Sequence, residues 1–214
     1  MLTDIKGAIF DLDGTLVDSM WVWSQIDIDY LKMKGYSMPE NLRNEISHLS
    51  FSQTAVYFKE TFNLDDSIAK ISDDWHNMAF NHYSNNVKLK LGVKDFLNSL
   101  KSFKIKIALA TSNSIPLLEA CLKNNGIYDY FDSITTTDEV SNGKDCPDVY
   151  LLAANKLGIN PRDCLVFEDI LPAVQSAKAA NMKVIAVEDT ECVDSKEDLI
   201  KYADKYIHSF VELL

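Results

Sequence analysis

The chain has 214 residues, 47% of them hydrophobic and 10% aromatic, with only 7 Gly and 5 Pro. That composition excludes a disordered or low-complexity protein and allows one ample domain, or a medium core with a small second unit. A formal charge of −11 disfavours a nucleic-acid partner, which needs clustered Lys and Arg, and obliges any anionic ligand to find local cations against a repulsive field.

No apolar run approaches a membrane span, and the start of the chain, through Asp4-Ile5-Lys6, lacks the basic-then-apolar pattern of a secretory signal. Cys121, Cys146, Cys164 and Cys192 are dispersed, without metal-ligand spacing. A cytoplasmic protein with reduced, structural cysteines and no membrane partner is expected.

Ile5 and then Ala8-Ile9-Phe10 make the apolar run of a buried strand, which stops at Asp11-Leu12-Asp13-Gly14-Thr15. Two carboxylates two residues apart share one face if the extended geometry persists to Asp13, and like charges that close must share a cation or a proton. From about Val17 to Asn86 the rhythm is helical. Trp23, Ile26, Tyr30, Leu31 and Met33 lie at helical spacing before Gly35; Ser50-Phe51-Ser52-Gln53 forms a capping box for a helix through about Phe62; Ile68, Ile71, Trp75, Met78, Ala79 and His82 make a long stripe. About four helices without a convincing strand predict a small bundle burying its own faces.

At Val87 to Leu91 the pattern turns to alternation, and thereafter helices and strands take turns. Helices are expected over Val93 to Leu100, Ile115 to Leu122 (stopped by Gly126), Pro147 to Leu157 and Pro172 to Ala180. Strands are expected over Ile105 to Ala110, Ser133 to Thr135, Cys164 to Phe167 and Lys183 to Val187. This is a doubly wound parallel sheet, which binds ligands beyond the carboxyl ends of its strands. The polar residues at those ends are Asp11 and Asp13, Thr111-Ser112-Asn113 and Glu168-Asp169, with Lys144 ahead of the Pro147 helix. Two acidic strand ends, a hydroxyl and a lysine make a site for a divalent cation and a phosphoryl group.

Four motifs appear in order: Asp11-Leu12-Asp13-Gly14-Thr15; Thr111 after an apolar strand; Gly143-Lys144-Asp145-Cys146-Pro147-Asp148-Val149-Tyr150; and Phe167-Glu168-Asp169. Together they resemble the haloacid dehalogenase superfamily end to end. The helical insert resembles the cap of its β-phosphoglucomutase-like and phosphoglycolate-phosphatase-like branch. The resemblance implies an α/β core over residues 1–16 and 88–214 and a helical cap over 17–87 that closes over the site and selects the substrate. Asp11 is then the nucleophile that takes the phosphoryl group, and Asp13 is general acid and then general base. Mg²⁺ is held by Asp11, Glu168, Asp169 and the backbone carbonyl of Asp13. Thr111 and Lys144 bind the phosphoryl group, and Gly14, Ser112, Asn113, Trp23 and Gln53 stand by as substrate-binding residues. The implied function is a Mg²⁺-dependent phosphatase of a small phosphorylated metabolite, acting as a monomer or weak dimer.

Each residue also has a plainer reading. Thr111 alone could cap a helix, Lys144 alone could be a solvated lysine, and Glu168-Asp169 could serve the positive end of the next helix; it is their co-occurrence that argues for a site. The sequence departs from the family pattern at Ile170, where a serine is usual, and at Asp145, where a proline is usual, so that Asp145 either weakens the cation at Lys144 or faces solvent. Trp23 and Gln53 stand at about the places where β-phosphoglucomutases carry a histidine and an arginine, which disfavours the alternative of a sugar phosphomutase. Asp13 argues against a dehalogenase, which needs no second aspartate, and the intact motif set argues against a silent binding module. Of the remaining aromatics and histidines (Trp21, Tyr57, Trp75, Tyr83, His48, His76 and His82), most are expected to pack within the cap, with Trp21 and Trp23 best placed to face the site.

Overall fold

A computed structural model describes residues 4–46, 49, 51–192 and 194–214, with 43 and 44 as backbone. The chain opens with β1 (Gly7–Phe10) and β2 (Val17–Asp18), then α1 (Met20–Met33), α2 (Leu42–Ile46), α3 (Phe51–Thr61) and α4 (Ile68–Asn85). It continues through β3 (Lys88–Leu89), α5 (Val93–Ser102), β4 (Lys106–Thr111), α6 (Ile115–Asn124), β5 (Ser133–Thr136), α7 (Asp148–Leu157) and β6 (Cys164–Glu168). Then come α8 (Leu171–Ala179), β7 (Lys183–Val187), α9 (Lys196–Tyr202) and β8 (Lys205–Ile207). Among the described residues no helix is long and apolar enough to cross a membrane.

Six strands form one parallel sheet in the order β5-β4-β1-β6-β7-β8. β1 is central because both its faces are covered: Ala8 and Phe10 enter one apolar cluster and Ile9 the other, which is why it reads as an unbroken apolar run. Phe10 stacks on Phe167 of β6 with ring centroids 4.4 Å apart, over Phe96 and Phe210. This aromatic floor fixes the two strand ends that carry Asp11 and Glu168. The chain leaves β1 toward β4 and β5 and later crosses to β6 on its other side, so the crevice at the carboxyl ends of β4, β1 and β6 is the switch point where such sheets bind ligands.

Between β1 and β4 the chain makes the helical unit. Its interior is aromatic: Tyr30, Phe58 and Trp75 meet at centroid distances of 4.8 to 6.4 Å. Its longest helix, α4, starts at Ser67, whose side chain accepts the Lys70 N–H, and rests against α6 of the sheet unit. The capping-box residue Ser50, and His48, lie outside the described residues.

The structure corrects the sequence reading in two places. At the start of the helical stretch, where no strand was expected, Val17–Asp18 forms β2, which pairs antiparallel with β3 of the alternating segment, Val17 with Leu89 and Asp18 with Lys88. Beyond Val187 the chain adds α9 and a parallel edge strand, β8, where no element was expected. Both β2 and β8 are too short, at two and three residues, to carry a recognisable period.

Candidate active site

β1 ends at Phe10, and the chain then curls. The amides of Leu16 and Val17 both donate to Leu12 O, and Gly14 N donates to Val17 O. Gly14 takes φ +77°, and a Cβ there would lie 2.3 Å from Asp169 Oδ2. Only glycine meets both demands, the left-handed backbone and the close approach of an acidic side chain.

The turn sends Asp11 and Asp13 to different partners. Asp11, 7% exposed, is ion-paired to Lys144 Nζ, which also bonds Glu168 Oε1 at 2.6 Å. Tyr150 on α7 donates to the same Glu168 oxygen at 2.6 Å. Thr15 Oγ1 donates to Asp169 Oδ1 at 2.9 Å. Asp11, Glu168 and Asp169 each offer a carboxylate oxygen within 4.8 Å of the others, all three residues being buried.

One ammonium among three carboxylates leaves a formal excess of two negative charges in a buried place. Burial accordingly pushes Glu168 up to about 7, and burial with the neighbouring Asp11 and Glu168 pushes Asp169 well above the usual carboxylate range. Burial also works against the charge on Lys144, yet Asp11 and Glu168 outweigh it and hold the ammonium above its ordinary value. Glu168 Oε2 is buried with no protein partner. A hard divalent cation matches the excess charge, the all-oxygen donors and the orphaned oxygen, so these residues fit one. The carboxylate of Asp13 is not part of this cluster.

That carboxylate is held instead by three donors. Ser19 Oγ at 2.6 Å and the hydroxyl of Tyr83 both donate to Oδ1, and Asn113 Nδ2 donates to Oδ2 at 2.7 Å. Burial and Asp11 raise its pKa, against the three donors. Thr111 ends β4 and is 1% exposed, and its Oγ1 accepts the Asn113 N–H at 3.0 Å. It does not cap α6, whose N-cap position is Ser114. Ser112 is exposed at the mouth. Asp145 is also exposed, so it faces solvent, and Ile170 packs into the second apolar cluster.

Above the site lies a cavity of about 220 Å³. Trp23, Phe51, Ser52 and His76 of the helical unit line one side, and Ser112, Asn113, Leu117, Thr137 and Asp138 the other. Trp23, expected to face the site, is part of this lining. Gln53 is exposed and outside this lining, its place taken by Ser52. Trp21 is 37% exposed and turned to His82, Trp75 is buried in the helical unit, and the Tyr57 hydroxyl bonds Glu45. The sequence reading missed Thr15, Ser19 and Tyr150, and it placed Tyr83 only among packing aromatics. Ser19 precedes a helix, where a capping role is the default. Tyr150 sits within the Lys144 motif, and that neighbourhood was the available clue.

A family model described as haloacid dehalogenase-like hydrolase matches residues 8–187. The phosphorylated carbohydrates phosphatase of Thermotoga maritima is 31% identical over 183 residues, covering 85% of this chain and 84% of that protein. Among solved structures, CbbY from Rhodobacter sphaeroides in complex with phosphate superposes with a TM-score of 0.86 at 23% identity, over 98% of this chain and 96% of that one. β-Phosphoglucomutase from Clostridium difficile does so with a TM-score of 0.81 at 22% identity, over 98% and 93%. The chain belongs to the haloacid dehalogenase-like hydrolase family.

Proposed function

We propose that the protein is a Mg²⁺-dependent phosphatase of a small phosphorylated metabolite that passes the phosphoryl group through Asp11, with residues 17–87 as the cap over a core of 1–16 and 88–214. The observation that supports this most is the buried meeting of Asp11 with Lys144, Glu168 and Asp169 at the strand ends. Asp11, Glu168, Asp169 and the Asp13 carbonyl would hold the metal, which when bound neutralises the excess charge so that an anionic phosphate can approach an anionic nucleophile.

A carboxylate of Asp11 needs no base; its oxygen bonds phosphorus as the ester oxygen leaves. Asp13 supplies the proton to that leaving oxygen. It then takes a proton from the water that attacks the same phosphorus, which frees Asp11 and yields inorganic phosphate. Proton transfer of this kind is worth about 10²–10⁴ in rate. Thr111, Ser112 and Asn113 bind the phosphoryl oxygens and Lys144 gives them a fixed positive charge, whereas Gly14, expected among the substrate-binding residues, has its N–H committed to Val17 O and serves the turn.

The cavity suits a hydroxyl-bearing leaving group without negative charge, with Trp23 and Phe51 as apolar wall, Ser52, Ser112, Ser114, Thr137 and His76 as hydrogen-bonding groups and Asp138 as a carboxylate that accepts hydroxyls and repels anions. The name of the Thermotoga relative, a phosphatase of phosphorylated carbohydrates, agrees with this class. A phosphomutase reading is disfavoured because a mutase must hold a second phosphate while water waits. The Trp23 indole N–H is already committed to Tyr83 at 2.9 Å, and Gln53 lies outside the cavity.

The test is a screen of phosphorylated metabolites for phosphate release with Mg²⁺ and with chelator, alongside Asp11→Asn. Release should need the metal and vanish in that variant. Full turnover in chelator, or wild-type turnover by Asp11→Asn, would sink the reading. β-Glucose 1-phosphate with its 1,6-bisphosphate primer, followed by phosphorus NMR, should give inorganic phosphate. Faster build-up of glucose 6-phosphate would favour the mutase.

A further inference from the structure

Tyr83 lies on α4 of the helical unit, 70 positions from Asp13 in sequence, and is fully buried. Its hydroxyl accepts the Trp23 indole N–H at 2.9 Å and donates its one hydrogen to Asp13 Oδ1. The indole thus fills a lone pair of the phenol oxygen and leaves the phenol hydrogen for the carboxylate. Burial, with the nearby charge of Asp13, keeps the phenol neutral and a donor. Trp23 itself forms part of the cavity wall.

The three donors on Asp13 come from three parts of the molecule: Ser19 just after β2, Tyr83 from the helical unit, and Asn113 from the loop before α6. Asn113 itself lines the cavity from the sheet side, and Ser19 sits at the start of α1. Tyr83 is the donor that ties the carboxylate to α4 and, through the Trp23 indole, to the helical wall of the cavity.

We propose that Tyr83 is a positioning residue that sets Asp13 according to how the cap is seated, with the Trp23 indole as the contact through which a filled cavity acts on it. This rests on the assignment of Asp13 as the general acid. Removing the Tyr83 hydroxyl leaves Asp13 two donors and cuts its link to α4 and the Trp23 indole, so the loss falls on proton delivery and spares phosphate binding.

The experiment compares kcat/KM, which reports the first chemical step, for phenyl phosphate and p-nitrophenyl phosphate, a poor and a good leaving group. Tyr83→Phe should lose roughly tenfold on phenyl phosphate and less than about threefold on p-nitrophenyl phosphate. Its inhibition constant for inorganic phosphate should stay within about twofold of the parent, because that constant does not involve Asp13 as an acid. Trp23→Phe, which keeps a ring and loses the N–H, should show a smaller defect of the same selectivity. Adding Tyr83→Phe to Asp13→Asn should cost nothing more on either ester.

Equal losses on the two esters, or additive losses in the double variant, would overturn the proposal. If Asp13→Asn is leaving-group selective and Tyr83→Phe is not, Tyr83 alone fails. If Asp13→Asn shows no selectivity, the acid assignment itself has failed.

Discussion

At Gly14 a single hydrogen atom in place of a side chain joins two parts of the site. With φ at +77° and Asp169 Oδ2 only 2.3 Å from where a Cβ would stand, Gly14→Ala must both strain the backbone and push Asp169 aside. Strain of this kind costs about 1–3 kcal/mol, and the displaced carboxylate belongs to the cluster that fits a cation. The variant should therefore unfold at lower urea and need several-fold more Mg²⁺ for half-maximal rate. Phosphate-release assays across a Mg²⁺ series measure the second effect, and an unchanged Mg²⁺ requirement would remove Asp169 from the metal set. Asp169→Ala should raise the requirement more than Thr111→Ala does, since the Thr111 hydroxyl bonds the Asn113 N–H and Thr111 is no member of the carboxylate cluster.

Where the chain crosses between sheet and helical unit, the β2 and β3 ribbon is clamped by Lys90. Its amide donates to Leu16 O at 2.9 Å, and its ammonium bonds the carbonyls of Gly14 and Glu188 and pairs with Asp189 Oδ2 at 2.8 Å. The Asp189 side chain is only 4% exposed, so Lys90→Met leaves a buried carboxylate without its partner. That loss should destabilise the protein by about 3–5 kcal/mol. Adding Asp189→Asn should recover part of it, and urea unfolding of the three variants measures both. A Lys90→Met protein as stable as the parent would reduce the clamp to a surface contact.

Lys90 also shows what the sequence conceals. Its alternating neighbours mark a strand, and nothing local says that its ammonium ends on the backbone of the first motif, 76 positions away. Asp11, Thr111 and Glu168-Asp169 were legible because each ends a strong apolar run, and the parallel sheet brings such ends together, whereas Lys144 was legible only through its motif ahead of the Pro147 helix. Tyr83 and Ser19 were not, because a tyrosine at helical spacing and a serine before a helix already have ordinary explanations. What singles them out is the distant carboxylate they share. The extents of α4, α5 and α7 followed from periodicity, whereas β2 and β8 owe their existence to a neighbouring strand rather than to their own residues.

On the scale of the whole molecule, the charge of −11 and the buried carboxylate cluster act together on metal and substrate. Mg²⁺ held by the cluster would relieve repulsion present in the folded state and absent from the unfolded chain, so it should raise the melting temperature without any substrate. At one hundred times its dissociation constant the gain is about 2.7 kcal/mol, a rise of roughly 5–10 °C for a chain of this size. Ca²⁺ at equal occupancy should protect similarly yet support turnover poorly, because its looser, larger coordination does not keep the phosphoryl group in line with Asp11. A melting temperature indifferent to Mg²⁺ would count against the cluster as a metal site.

The same net charge opposes a phosphate dianion before it reaches Lys144. The cations that could draw it in are few, since Lys144 is 8% exposed and already paired, and the cavity lining contains no Lys or Arg among the described residues. Long-range repulsion of exposed charges is screened over about 10 Å at 0.1 M salt, whereas contacts inside a closed site are screened far less. With Mg²⁺ held saturating, raising KCl from about 10 to 150 mM should therefore increase kcat/KM by roughly two- to threefold through a lower KM, leaving kcat unchanged. A steep fall in kcat/KM with salt would mean that a local positive field steers the substrate, and that the overall charge does not govern its approach.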